Sequence, residues 1–256
     1  MNREAMRTEI DRLAKELEAK VVSWRRDLHQ NPELSNQEFR TGNLVAEHLH
    51  ALGMEVKTGV AGTGVVGILQ GAKKGPVVAL RADMDALPVT ERTGAPYASK
   101  TPGVMHACGH DCHTAMLMGA AEILSRLRGT LEGRVKFLFQ PAEEGLPGEE
   151  ESGARLMIKE GALEDPVPDA IFGLHVGRFP KGVFFYRTGN FMASGDLLHM
   201  VVKGMQTHGA LPWRGIDPVV IASQVILGLQ SIVSRQTDLT ETPVVISIGR
   251  ISGGER

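Results

Sequence analysis

Residues 103–113 read GVMHACGHDCH and place three histidines, two cysteines and an aspartate within eleven positions. About thirty residues later the chain reads FQPAEEG, in which Glu143 and Glu144 follow an apolar run. Thiolate, imidazole and carboxylate groups are the usual ligands of a hydrolytic transition-metal site. Two adjacent glutamates allow one to bind metal while the other moves protons. The stretch therefore predicts a catalytic metal site. The plainer alternative is a Cys/His-rich loop whose histidines make ordinary hydrogen bonds.

The composition indicates a globular protein and does not favour a nucleic-acid or membrane partner. A chain of 256 residues can form one large domain, or one domain plus part of a second. The net charge of −2 and the aromatic content of 5% give no reason to expect nucleic acid or an anionic membrane as a partner. Cys108 and Cys112 are too few for a disulfide framework, so we expect a metal thiolate or a reduced thiol.

The N-terminus is charged throughout, and no unbroken apolar run reaches the length of a membrane span. We therefore expect neither a signal peptide nor a spanning helix. The expected location is cytoplasmic, with a periplasmic location as the alternative if an export signal has been lost.

Apolar spacing predicts alternating helices and strands in the first three quarters of the chain. The predicted helices cover residues 8–22, a segment from a Ser35–Glu38 capping box to about Gly53, and residues 113–127 and 155–159. The predicted strands cover residues 65–69, 77–80, 135–139, 170–176 and 183–186. This alternation is typical of an α/β sheet domain.

The pattern restarts near Ala193. Strands are predicted at 197–202 and 244–248, on either side of a helix at 217–235. We therefore place a first domain at residues 1–192 and a second, α+β domain at 193–256. The second domain looks cut off after about half of its length, because Gly253 and Gly254 form a turn signal between elements.

Several polar residues follow predicted strands or enter a predicted helix. Ligands of open α/β sheets bind beyond the carboxyl ends of the strands, so we expect one cleft to collect these residues. They are Asp83, Asp85, Cys108, His110, Glu143, Glu144 and His175. Taken singly, His175 fits a hydrogen-bonded core histidine, and the two aspartates fit helix caps or turn formers. Convergence from separate segments favours the cleft.

Six motifs occur in one order: RRDLHQNPELSNQE, RADMDALP, GVMHACGHDCH, FQPAEEG, FGLHV and THGALPWRGIDPV. Over nearly all of its length the chain resembles the dinuclear metallo-aminoacylase and peptidase family. Within that family it is similar to hippurate hydrolases, N-acetyl-amino-acid deacetylases and indole-acetyl-amino-acid amidohydrolases. The resemblance implies a catalytic α/β/α domain with a mixed central sheet, plus an inserted, here incomplete, α+β lid or dimerisation domain.

The resemblance also implies a metal-ligand set. Cys108 matches the ligand that can bridge two metals, and His110, Glu144 and His175 match further ligands. Two divalent ions are expected, with Mn, Zn, Co or Ni all compatible with these donors. Family members continue beyond Arg256, and the missing part would supply a final histidine ligand.

Other positions match residues that act on water or substrate. Glu143 matches the general base that activates water, and Asp83 matches a carboxylate that orients a ligand. His208 matches a small-domain histidine that, in dimeric relatives, reaches the neighbouring subunit's site and polarises the scissile carbonyl. His29 is expected to be a packing or capping residue, and His106 and His113 are expected either to support the metal ligands or to be structural.

The expected function is metal-dependent hydrolysis of the amide bond of a small N-acyl amino acid, acetylated, benzoylated or similar, in a homodimer formed through the lid domain. Two alternatives stay open. One is a catalytically inactive truncated fragment or a metal-binding, dimerising pseudoenzyme, and the other is a short-peptide dipeptidase. A closed structural zinc site fits poorly, because such sites usually pair two C-x-x-C-type knuckles and this chain has a single C-x-H.

Overall fold

The computed structural model describes residues 2–145, 153–189, 191–192 and 195–254. The chain divides into two compact units, Met1–Arg178 and Phe179–Arg256. The helices of the first unit are α1 (Arg3–Gln30), α2 (Phe39–Ala51), α3 (His110–Arg126) and α4 (Gly153–Lys159), with a 3-10 turn at Arg128–Thr130. Its strands are β1 (Glu55–Val60), β2 (Gly64–Gln70), β3 (Lys73–Asp83), β4 (Glu132–Gln140) and β5 (Ala170–Gly173).

The five strands form one mixed sheet in the order β1-β2-β4-β3-β5. β2 pairs antiparallel with both β1 and β4, whereas β3 pairs parallel with both β4 and β5. This arrangement confirms the predicted α/β class with a mixed central sheet.

Apolar side chains pack on both faces of the sheet. Alternate residues of a strand point to opposite faces, so Phe137 and Phe139 of β4 join one core and Leu138 joins the other. The larger core packs the sheet against α2 and α3, and the smaller one packs it against α4. Helices therefore cover both faces of the sheet, as the α/β/α prediction required.

The register of the parallel strands brings the polar segments to one edge of the sheet. Asp83 pairs with Gln140, so β3 and β4 end side by side. Arg81 pairs with Gly173, which places the end of β5 at the same edge. The segments after these three strands therefore start next to one another.

The structure of the first unit differs from the sequence predictions in one strand and one helix cap. β1 has no counterpart among the predicted strands, because most of its residues are exposed and it lacks a clear apolar run. The Ser35–Glu38 capping box is wrong, because Glu38 makes no side-chain cap for α2. The carboxylate of Glu33 takes that role and accepts hydrogen bonds from the backbone N–H groups of Arg40 and Thr41 at 2.9 and 2.8 Å.

In the second unit, the predicted helix is confirmed as α5 (Pro218–Arg235), with a 3-10 turn at Pro212–Arg214 before it. Asp217 caps α5 by accepting from the N–H groups of Val219 and Val220. The strands predicted at 183–186, 197–202 and 244–248 are wrong, because these segments form no ladder. Their apolar side chains are exposed: Leu197 is 93% exposed and Val245 is 82% exposed.

By length and composition, α5 passes the test for a membrane-spanning helix, with a mean hydropathy of 1.3. It does so without an unbroken apolar run, because serine and glutamine interrupt its sequence. Core helices of soluble proteins pass the same test, so this is weak evidence for a span.

Candidate metal centre

His110 stands at the first residue of α3, at the carboxyl edge of the sheet. The preceding Gly109 adopts a left-handed conformation with φ of 88°. A Cβ at this position would lie 2.4 Å from Cγ2 of Val176. Both the dihedral angle and the close approach therefore require glycine between Cys108 and His110.

The imidazole of His110 is fully buried, and its two nitrogens have different surroundings. Nδ1 lies 3.1 Å from Oδ1 of Asp85. An ionised carboxylate only accepts hydrogen bonds, so Nδ1 carries the proton. Nε2 has no hydrogen-bond partner among the described residues. In the neutral ring, Nε2 therefore holds a free lone pair, which is the state of a metal-ligating histidine.

Further donor atoms surround this nitrogen. Nε2 of His110 lies 3.9 Å from a carboxylate oxygen of Glu143 and 3.9 Å from one of Glu144. On another side, Sγ of Cys108 lies 3.4 Å from Nε2 of His175. Two groups of potential ligands, each with donor atoms within 4.8 Å of one another, share His110: Cys108–His110–His175 and His110–Glu143–Glu144. An orphaned buried nitrogen between thiol, imidazole and carboxylate donors fits the predicted metal ions.

A third group with the same spacing contains Asp83, His110 and His113, but Asp83 and His113 are already engaged with other partners. Nδ1 of His113 lies 2.6 Å from Asp83, and its Nε2 accepts from the backbone N–H of Val176 at 2.9 Å. Asp83 also accepts from Arg81 at 2.7 Å. His113 is thus bonded through both ring nitrogens, which agrees with its predicted structural role.

Asp83, the last residue of β3, and Asp85, which follows the strand, therefore bond to different partners. Asp83 bonds to His113 and lies 3.7 Å from Nε2 of His110, whereas Asp85 hydrogen-bonds to Nδ1 of His110. Asp85 also accepts from the hydroxyl of Ser35 and the backbone N–H of Glu144. The sequence places Asp85 in the cleft, but the site prediction names only Asp83. In this geometry Asp85 is the carboxylate that hydrogen-bonds to His110, and the orienting role of Asp83 stays a prediction.

Burial and charge shift the acidities in the cleft. Burial raises the pKa of Glu143, and the charge of Glu144 raises it further. Burial and the Glu144 carboxylate raise the pKa of the Cys108 thiol to about 12. Burial alone would lower the pKa of His110, but the hydrogen bond to Asp85 and the charge of Asp83 raise it. Negative charge thus accumulates here, and a cation would relieve it.

His29 has a larger structural role than the packing or capping function predicted for it. It lies in α1 and is 4% exposed. Its Nδ1 lies 2.7 Å from Asp111, the residue after His110, and its Nε2 lies 3.3 Å from Glu91. Arg25 also contacts Asp111, at 2.8 Å. The hydrogen bond to Asp111 raises the pKa of His29. These contacts join α1 to the first turn of α3.

His208 belongs to the second unit. Its side chain is exposed, and its Nδ1 accepts from the backbone N–H of Ala210 at 3.1 Å. This places it in a turn that precedes the Pro212–Arg214 3-10 helix.

Comparisons with known proteins show what this chain is similar to. The sequence model of the peptidase family M20/M25/M40 matches residues 79–255. The thermostable carboxypeptidase 2 of Saccharolobus solfataricus is 45% identical over 246 residues, which cover 94% of this chain and 61% of the relative. The N-acetyl-L-cysteine deacetylase of Bacillus subtilis is 43% identical over 239 residues, covering 93% of this chain and 56% of the relative.

A solved structure is also similar to this chain. The YXEP protein of Bacillus subtilis, described as a dinuclear metal-binding peptidase of the M20 family, superposes with a TM-score of 0.57 at 44% identity. The match covers 63% of this chain and 44% of that one. The chain thus spans about 60% of the length of the curated relatives described above.

Proposed function

The chain belongs to the peptidase family M20/M25/M40, and from that membership and the geometry of its cleft we propose that it serves a metal-dependent amidohydrolase. The proposed reaction is hydrolysis of the amide bond of small N-acyl amino acids. One observation carries the proposal: the buried Nε2 of His110 has no partner among the described residues and lies near thiol, imidazole and carboxylate donors.

The proposed ligands of two divalent ions are Cys108, His110, Glu144 and His175. Their donors are compatible with Mn, Zn, Co or Ni. Bound ions would supply a Lewis acid that makes water a nucleophile at neutral pH. Asp85 supports this set by holding the proton on Nδ1 of His110, which leaves Nε2 free to bind.

Glu143 is the proposed general base. It lies beside Glu144 and His110, and its raised pKa makes its carboxylate a better proton acceptor than an exposed glutamate. In the proposed mechanism it takes a proton from the attacking water and later delivers that proton to the leaving amine. His208 is proposed to stabilise the oxyanion, and a homodimer is proposed to bring this histidine to a site. The cytoplasmic location remains a prediction.

A peptidase function is the second candidate, because a relative with 45% identity is named a carboxypeptidase. Both reactions cleave an amide next to a free carboxylate, so the same cleft chemistry serves either. The two kinds of substrate differ in the acyl group attached to the amide nitrogen that is cleaved. A panel that pairs N-acetyl and N-benzoyl amino acids with dipeptides of the same C-terminal residue would separate the two functions.

The first test is metal stoichiometry after reconstitution of the purified chain with Mn²⁺ or Zn²⁺, with Cys108→Ala measured in parallel. We expect about two ions per chain, with a loss of occupancy in the variant. Release of free amino acid from the N-acyl panel, detected with an amine reagent, then tests turnover. A chain that binds no metal, or a Cys108→Ala variant with unchanged occupancy, would overturn the proposal. Metal binding without turnover would favour the non-catalytic alternative.

A further inference from the structure

The loop between α1 and α2 contains two polar side chains, Ser35 and Glu38, that suggest a helix cap in sequence but point elsewhere. Glu33 caps α2. Ser35 and Glu38 are 2% and 0% exposed and reach residues that lie far along the chain. Such buried polar groups are costly unless they are bonded, so their partners show what they hold.

Both oxygens of Glu38 accept hydrogen bonds. Oε1 accepts from the backbone N–H of Ala142 at 2.8 Å, across 104 residues of sequence. Oε2 accepts from the hydroxyl of Thr63 at 2.6 Å. Ala142 directly precedes Glu143, so Glu38 bonds to the backbone at the start of the carboxylate pair.

Ser35 acts at the other end of the same turn. Its hydroxyl donates to Oδ2 of Asp85 at 2.8 Å and lies 3.5 Å from the carbonyl oxygen of Gly145. The same oxygen of Asp85 accepts from the backbone N–H of Glu144 at 3.0 Å. The backbone on both sides of Glu143 is therefore bonded to side chains outside the turn.

This turn needs external support because of its backbone conformation. Ala142 has φ of 47° and Gly145 has φ of 65°. A positive φ is uncommon for alanine and persists where surrounding contacts hold it. The bonds from Glu38 and Asp85 are such contacts.

We propose that Ser35 and Glu38 are positioning residues, which fix the turn at residues 142–145 so that the carboxylates of Glu143 and Glu144 face His110. The catalytic meaning of this inference rests on the proposed function. The structural meaning does not, because the two residues hold the turn whether or not the chain turns over substrate. If Ser35 and Glu38 only stabilised the fold, replacing them would leave metal binding and the turn unchanged in the folded protein.

The test compares Glu38→Met, Glu38→Gln and Glu33→Ala. Methionine has a similar volume but cannot accept the Ala142 N–H, whereas glutamine keeps one acceptor oxygen. Glu33→Ala is the matched control, because it also removes an acidic side chain of this loop. The two backbone hydrogen bonds that Glu33 accepts come from α2 and not from the turn. Three quantities are measured: amide hydrogen exchange at residues 142 and 144, the Mn²⁺ dissociation constant, and the kcat and KM for an N-acetyl amino acid.

We expect Glu38→Met to speed exchange of the Ala142 amide at least about tenfold and to weaken Mn²⁺ binding about 10–100-fold. Its kcat should fall about 100-fold with little change in KM, because the carboxylates would be misplaced rather than removed. Glu38→Gln should recover most of each quantity. Glu33→Ala should lower the melting temperature and leave Mn²⁺ affinity within about twofold of the unmodified chain.

Unchanged exchange at Ala142 in Glu38→Met would overturn the inference, as would an equal loss of Mn²⁺ affinity in Glu33→Ala. If the unmodified chain binds no Mn²⁺, the proposed function fails while hydrogen exchange still decides the positioning role. If Glu38→Met does not fold, Ser35→Ala replaces it, with faster exchange at Glu144 as the expected result and unchanged exchange as the contrary one.

Discussion

Replacing Asp85 by asparagine is expected to weaken divalent-metal binding about 10–100-fold, because it changes the protonation of His110 rather than its position. Asp85 accepts three hydrogen bonds, two at Oδ2 from Ser35 and Glu144 and one at Oδ1 from His110. Asparagine has a single acceptor oxygen. Keeping the two bonds at Oδ2 turns its NH₂ group toward Nδ1 of His110.

Two donors would then face each other, unless the imidazole proton moves from Nδ1 to Nε2. That shift occupies the lone pair that is otherwise free for a metal. A loss of 10–100-fold in affinity corresponds to about 1.4–2.7 kcal/mol. The lost charge-assisted bond should also lower the free energy of unfolding by about 1.5–3 kcal/mol.

The assay is calorimetric titration with Mn²⁺ or Zn²⁺, supported by urea unfolding without metal. Asp83→Asn is the matched comparison, because Asp83 is also buried and at the same edge but bonds to His113 and Arg81. We expect less than about a tenfold loss of affinity for Asp83→Asn. Wild-type metal affinity in Asp85→Asn, or an equal loss in both variants, would refute the reasoning.

Three further predictions follow from the same contacts. Glu143→Gln should keep the metal stoichiometry while kcat falls about 10²–10⁴-fold, and near-native turnover would contradict the base assignment. Because the pKa of Cys108 is raised to about 12, metal binding should release its proton, so affinity should fall as pH falls. Calorimetry in two buffers of different ionisation enthalpy should show this release, with Cys112→Ser unchanged, and equal enthalpies would contradict it. The raised pKa of His29 means that its pairing with Asp111 stabilises the fold fully below the ordinary value of 6.5 and is lost as pH rises through the folded-state pKa. His29→Gln should therefore be destabilised by about 1–3 kcal/mol in acid and less at high pH, and a constant difference between urea unfolding curves would disagree.

The sequence predicted the elements that build the edge of the sheet, because their signals are local. Val135–Phe139 is apolar except for Lys136, and in β4 its apolar residues divide between the two cores. The rule that ligands lie beyond strand ends then grouped residues that are far apart in sequence. The parallel register of Asp83 with Gln140 is what brings these residues together.

Structural features that depend on a partner far away in the sequence could not be predicted in the same way. The spacing of Ser35 and Glu38 matches a helix cap, but the competing partners lie at residues 85 and 142. The mostly apolar run at 197–202 favours a strand, but a strand also needs a neighbour to accept its backbone hydrogen bonds. Among the described residues of the second unit, Met205 and Ile216 form an isolated bridge and the predicted strands pair with nothing.

The choice between Asp83 and Asp85 shows most clearly why spacing alone is insufficient. The two residues are separated by one position, so an ideal strand would point both toward the same face. β3, however, ends at Asp83, and Asp85 lies in the segment that follows. Asp83 is thereby held beside β4 and bonds to His113, while Asp85 reaches the first turn of α3 and the backbone of Glu144. The end of one strand thus decides which carboxylate orients His110. That end depends on pairing with β4 and β5, which residues 81–88 by themselves do not specify.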